Sequence, residues 1–209
     1  MIIIHPISME LEYSKNKIVF NRELSNLDKL VLRFCTIMHR LNIRYVIISG
    51  YIAILFGRSR ETEDVDLFIE RISYDKMNEF WKTLDEEGFE GVSTFNSKEA
   101  FETLSDKTSI RFALKGTWKP NFEIKFVNTP EGRYSLDTKI LVVLNGEEFY
   151  TSEIEMQIAY KMWRWGEKDL EDSVYLYTLF KEKLNTTLLY KHLYDFNVPE
   201  ERVNELWKE

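Results

Sequence analysis

Between Tyr45 and Glu70 the chain reads YVIISGYIAILFGRSRETEDVDLFIE, and this stretch restricts the fold more than any other. Tyr45 to Ile48 is a short β-branched run of the kind that forms a buried strand. Ser49-Gly50 breaks the run, and Tyr51 to Phe56 reads as a short helix packed back on that strand. Gly57 ends the helix, and Arg58, Ser59 and Arg60 follow in a polar loop expected to be exposed. Asp64 to Ile69 then re-enters a strand. Strand residues two apart share a face, so Asp64 and Asp66 project side by side while Val65 turns into the core. Two carboxylates on one face repel unless something positive lies between them. A divalent cation answers that need, because Mg²⁺ prefers carboxylate oxygens together with substrate phosphates. The plainer alternative is an edge strand with two solvated aspartates. That alternative leaves the Ser-Gly break and the arginine loop unexplained.

The succession Ser-Gly, short helix, Gly-x-x-Arg-x-Thr-x-Asp-x-Asp is carried by Ser49, Gly50, Gly57, Arg60, Thr62, Asp64 and Asp66. It resembles the polymerase-beta-type nucleotidyltransferase superfamily, and within it the small archaeal and bacterial branch that includes AbiE-type toxin nucleotidyltransferases. The resemblance implies an α/β (α+β) fold: a mixed sheet of about four to six strands with a C-terminal helical bundle. It also implies a third carboxylate on a neighbouring strand. Glu123 matches that position, in Phe122-Glu123-Ile124-Lys125-Phe126, where Glu123 and Lys125 share one strand face. The family more often has Asp there, and Glu is one methylene longer. A merely exposed Glu-Lys face is the alternative, and Asp137 is a weaker candidate for the third carboxylate. Further on, the resemblance includes a helical Lys and a Lys-Asp-x-x-Asp run, here Lys161, Lys168, Asp169 and Asp172. The acidic residues also suit a solvated helix start. The resemblance spans roughly residues 25 to 180.

What the resemblance implies chemically is transfer of a nucleoside monophosphate from a nucleoside triphosphate, with release of pyrophosphate. Asp64, Asp66 and Glu123 would be the catalytic carboxylates and would hold two Mg²⁺ or Mn²⁺ ions. Ser49, Gly50, Arg58 and Arg60 would hold the triphosphate, and Lys161, Lys168 and Asp169 would meet the nucleotide from the helical side. The acceptor stays open between an RNA 3′ end, a protein hydroxyl and a small molecule. Two other classes of function also stay open. One is a non-catalytic nucleotide-binding module on the same fold. The other is an interaction component of toxin–antitoxin type, whose acidic face binds a basic partner.

The remaining sequence limits these choices. A chain of 209 residues suits one domain or two small ones. A soft boundary near residue 151 separates an α/β core, 1–150, from a helical part, 151–209. A net charge of −7 argues against broad binding of duplex DNA, which normally needs a basic surface. Cys35 is the only cysteine, so no intrachain disulfide forms, and His5, His39 and His192 have no zinc-like spacing. No apolar run is long enough for a membrane span or signal peptide, so a cytoplasmic location is expected.

Periodicity supplies the other elements. Residues 2 to 21 read as extended, with a hairpin over Leu11–Phe20 turning near Lys15-Asn16. Ser25 and Asp28 offer a capping-box start for an amphipathic helix that ends near Asn42. Tyr74 to Glu87 reads as a helix, and Lys98 to Leu104 as a shorter one capped by Ser97. Ile110–Leu114 and Phe122–Val127 read as strands, and Thr129-Pro130 as a helix start. Ile140–Leu144 and Glu148–Tyr150 form a hairpin around Asn145-Gly146. From Ser152 onward the pattern is helical.

Overall fold

A computed structural model describes residues 11–14 and 16–207. The helix after Ser25 begins as its sequence dictates. Ser25 Oγ accepts from the Asp28 amide, and the Asp28 carboxylate accepts from the Ser25 amide, closing the capping box of α1 (Asn26–Arg40). Phe34 of this helix lies stacked on Phe122, ring centroids 3.9 Å apart, and meets Phe89 edge-on. That contact puts α1 on the apolar face of the sheet.

The strands are β1 (Glu12–Ser14), β2 (Lys17–Phe20), β3 (Tyr45–Ile48), β4 (Asp64–Ile69), β5 (Phe89–Gly91), β6 (Ile110–Leu114), β7 (Asn121–Phe126), β8 (Ile140–Leu144) and β9 (Glu147–Thr151). Among the described residues they form one mixed sheet in the order β1-β2-β8-β9-β3-β4-β7-β6-β5. β3 runs antiparallel to β4, and β4 runs parallel to β7. Val65, Leu67 and Ile69 are buried on one face of β4, which leaves Asp64, Asp66 and Phe68 on the other.

Nine strands exceed the four to six expected. The two hairpins are the reason. β2 pairs in parallel with β8 from Lys17↔Leu141 to Phe20↔Leu144, and β9 joins β3 at Ile47↔Thr151. Strand pairing so distant in sequence leaves no periodic signal. The β8–β9 turn itself follows expectation, with Asn145 and Gly146 at φ 52° and 88°, the left-handed pair that a tight hairpin needs. The expected strand over residues 2–10 and the turn residue Lys15 lie outside the described residues.

The other helices are α2 (Gly50–Leu55), α3 (Tyr74–Glu86), α4 (Ser97–Ser105), α5 (Pro130–Asp137), α6 (Ile154–Arg164), α7 (Glu167–Phe180), α8 (Thr186–Asp195) and α9 (Glu200–Val203), with a 3₁₀ turn at Asn204–Trp207. α4 is capped by Asn96, whose side chain accepts from the Glu99 amide; Ser97, the expected cap, is already helical. Trp165 turns left-handed at the end of α6 and lets α7 fold back beside it. α5 packs on β3 and β4, with Gly132 against the Phe68 ring, so it covers the carboxylate-bearing face beyond the aspartates. Among the described residues no helix is long and apolar enough to cross a membrane.

Candidate functional site

The turn between β3 and α2 is built under strain. Ser49 sits at φ 69°, ψ −140°, a region that a residue with a Cβ rarely occupies. Its amide donates to Gln157 Oε1 at 3.0 Å, so α6 holds the turn in place. Gly50 follows, and the guanidinium of Arg60 lies directly over it. A Cβ at Gly50 would stand 2.2 Å from Arg60 Nη2. Glycine at this point is what lets the arginine lie across the turn.

Asp64 and Asp66 face the same cleft from β4. Thr62 Oγ1 donates to the Asp64 carbonyl at 2.9 Å and fixes the strand start. Asp66 is directly abreast of Glu123 on β7. Burial, then the charges of Asp64 and Glu123, push the Asp66 carboxyl up to about 6, against a hydrogen bond from Ser49 and the charge of Lys125. Glu123 goes the other way. Burial alone would raise its carboxyl, but Lys125 and Arg111 outweigh burial and hold it below the usual carboxylate range. Lys125 Nζ is 2.6 Å from Glu123 Oε1, and Arg111, its partner across β6, bonds the other oxygen.

The cleft has a volume of about 540 Å³. Ser49, Gly50 and Arg60 wall it at one side, the three carboxylates line its floor, and Lys168 reaches it from α7. Arg58, Lys161 and Asp169 do not line it. They belong to a buried network centred on Asp172, which is 0% exposed. Lys161 Nζ is 2.7 Å from Asp172 Oδ2 and 3.5 Å from Asp169 Oδ1. Arg60 Nη2 reaches Asp172 Oδ2 at 3.0 Å, and Arg58 bonds both Asp172 and Glu171. The Arg58 and Arg60 side chains are only 13% and 14% exposed, so the loop is not the exposed one that its polarity suggested. The charges of these arginines are taken up by the acids of α7. Asp137 is exposed and pairs with Arg44 at 2.8 Å, outside the cleft.

Sequence reasoning passed over Arg111, Gln157, Arg164 and Tyr160 as site residues. Arg111 becomes visible only through the β6–β7 register. Gln157, Tyr160 and Arg164 lie on one side of α6, where a helical pattern reads as packing. Lys125 was legible in sequence as the residue sharing a strand face with Glu123.

Among the described residues no three histidine, cysteine or acidic side chains stand together as a group that could hold a metal ion. Asp64 and Asp66 fit a divalent cation as a pair, since they are adjacent on one face, and burial together with the charge of Asp64 raises the Asp66 carboxyl. Glu123 does not fit as a third ligand in this arrangement, because both its oxygens are already paired.

Comparison with solved structures places the fold. An antigenic nucleotidyltransferase-like protein from Paracoccidioides brasiliensis aligns with a TM-score of 0.51 and 20% identity, over 86% of this chain and 91% of that one. The lincosamide antibiotic adenylyltransferase LnuA, in its lincomycin-bound form, aligns at 0.50 and 11% identity, over 74% of this chain and 98% of that one. The antibiotic-resistance factor ANT(2'')-Ia aligns at 0.53 and 12% identity, over 88% and 97%. No protein-family model matches the sequence, and no curated protein matches it. At these identities the likeness is one of fold: the mixed sheet flanked by helices, with its C-terminal helical region, is the nucleotidyltransferase architecture.

Proposed function

We propose that this protein is a nucleotidyltransferase that moves a nucleoside monophosphate from a nucleoside triphosphate to an acceptor hydroxyl. The observation that carries the reading is the Asp64–Asp66 pair, set side by side in a cleft whose wall also presents Arg60, Lys168 and the Ser49-Gly50 turn. A Mg²⁺ or Mn²⁺ ion held by Asp64 and Asp66 would supply charge neutralisation between the carboxylates and the triphosphate. Ser49, the Gly50 amide and Arg60 would bind the phosphates, with Lys168 and Arg164 facing them from the helical side. Arg58, Lys161 and Asp169 would act indirectly, by fixing the acid that orients Arg60.

The reaction balances simply. An acceptor oxygen bonds the α-phosphorus while the α–β anhydride bond breaks. Pyrophosphate leaves with that electron pair, and the acceptor's proton passes to solvent. A site with a second ion would also need Glu123, which would first have to give up Lys125 or Arg111. That pairing favours a second reading, a nucleotide-binding module without transfer. A cytoplasmic setting, where nucleoside triphosphates are supplied, belongs to the same proposal. So does kinship with AbiE-type toxins, which would appear as growth arrest on expression that requires Asp66.

Labelled nucleoside triphosphates, incubated with the protein and cell extract, separate the two readings. Transfer of label that is lost in EDTA and in Asp66→Asn supports the enzyme. Metal-dependent calorimetric binding with no transfer to any acceptor supports the module. Affinity that is unchanged in EDTA refutes the metal bridge in both.

A further inference from the structure

Lys125 lines the acidic cleft two residues beyond Glu123, on the same face of β7. Its ammonium is 2.6 Å from Glu123 Oε1. Its charge also acts on Asp66, where it works against burial and the neighbouring carboxylates. Other cations of the cleft are set differently. Arg60 is tied to Asp172, and Arg164 lies 3.7 Å from Asp169, both acids of α7 outside the cleft lining. Lys168 comes from α7 rather than from the sheet. Lys125 sits among the carboxylates themselves.

Glu123 is held from two directions. Lys125 takes one oxygen from within the cleft, and Arg111 takes the other from β6, outside the cleft lining. A glutamate is one methylene longer than an aspartate, and that reach serves a carboxylate bridging a neighbour on its own strand and one on the next. Glu123 is only 8% exposed, so an oxygen that released its cation would find little water in its place. Breaking such a pair is costly. The Lys125 side chain is 43% exposed, on a flexible stem. An ammonium has three donors, so it can offer one to a ligand without leaving Glu123.

We propose that Lys125, held by Glu123, is a phosphate-binding residue of this cleft and supplies there the positive charge that a second divalent ion would bring. Glu123 is then a positioning residue and not a metal ligand. The cleft takes one divalent ion per nucleotide, at Asp64 and Asp66. A lysine suits the place, because its ammonium is a compact point charge that binds phosphate oxygens. The proposal rests on the transfer reading above, since it names a residue that meets the triphosphate of that reaction.

The test counts ions and measures binding without any transfer. The probe is Mn²⁺ with a nucleoside triphosphate analogue whose α–β bridge is a methylene, so that the bond cannot break. Electron paramagnetic resonance counts bound Mn²⁺ at saturating analogue, and calorimetry gives the affinity. The expected count is one Mn²⁺ per bound analogue, in the wild type and in Glu123→Gln. Lys125→Met should lower affinity about tenfold, and Lys125→Arg should recover most of the loss. Glu123→Gln should also lower it, but should add nothing in the Lys125→Met background, because its part is played through the lysine. Thermal midpoints check folding. Were the buried Glu123→Gln variant unstable, the Mn²⁺ count and the two Lys125 variants carry the test. Two Mn²⁺ per analogue in the wild type overturns the proposal. So does affinity unchanged in Lys125→Met, or a Glu123→Gln effect that persists without the lysine. The transfer reading fails separately. One Mn²⁺ and lysine-dependent affinity, with no label moved to any acceptor, keeps Lys125 as the phosphate contact and refutes the enzyme. Transfer with two Mn²⁺ does the reverse.

Discussion

Asp66 shows how this site trades stability for charge. Its folded carboxyl titrates near 6 against an ordinary 3.8, so the folded state binds that proton more tightly than the unfolded chain does. Metal-free stability therefore falls as pH rises from about 4 through 6. Asp66→Asn keeps the shape and removes the charge, and its stability should be flat across that window. At pH 7 the variant should be more stable, on the order of 1–2 kcal/mol after solvent screening. Thermal midpoints of both proteins in EDTA at pH 4, 5, 6 and 7 check the sign. A wild type that does not lose stability across that range would refute the charge crowding. Gly50→Ala tests the neighbouring contact. The new methyl would displace the Arg60 guanidinium, a flexible group, so the fold should survive while triphosphate affinity drops about tenfold. Unchanged affinity would take Arg60 out of phosphate binding. The placement of Asp64, Asp66, Ser49 and Gly50 was legible because strand period and a Ser-Gly break are local signals. The pairing state of Glu123 was not, because it depends on Arg111 from a strand whose register the sequence does not declare.

Two helix-borne acids, Asp172 and Asp28, work differently, since each is buried against a cation. Asp172 on α7 faces Lys161 of α6 and both loop arginines, and is itself inaccessible. Sequence spacing put Asp169 and Asp172 on one helical face but could not say that this face turns inward onto α6. Asp172→Asn takes the shared acid from three cations and leaves Arg60 with none, Arg58 keeping Glu171 and Lys161 keeping Asp169; breaking buried pairs costs about 3–5 kcal/mol. It should also loosen Arg60, so urea unfolding and triphosphate binding should weaken together. Loss of one without the other would separate the network from the cleft. Asp28 on α1 makes the parallel case for pH. Burial would raise its carboxyl, but hydrogen bonds from Arg22, Ser25 and Tyr51 outweigh burial and hold it below its ordinary value. Its contribution is therefore full above about pH 4 and is lost as pH falls through the folded value. Asp28→Asn should lower stability at pH 7 by about 3 kcal/mol and flatten the acid limb below pH 4. Here the capping box was legible, whereas Arg22 and Tyr51 converge on it only in the fold.

Across the whole molecule, a chain of rings joins parts that the sequence presents as separate. Tyr13 of the N-terminal hairpin lies 5.7 Å from Phe180 of α7, Phe180 lies 4.9 Å from Phe56 at the end of α2, and Phe56 lies 5.5 Å from Phe20 of β2. The hairpin, the turn that carries the site and the helical region thus share one piece of core. The boundary expected near residue 151 falls where the secondary structure changes from β9 to α6, yet β9 itself is bonded into the central sheet at Ile47. Physical coupling of this kind predicts that residues 1–150 and 151–209 unfold together. Phe56→Ala removes the middle ring, which is 0% exposed, and should cost about 3–5 kcal/mol. That loss should lower the midpoint of a single calorimetric transition, with calorimetric and van't Hoff enthalpies still equal. Two resolved transitions in the wild type would mean that the boundary near 151 divides independent domains. A single wild-type transition that splits only in Phe56→Ala would mean that this ring is what fuses them.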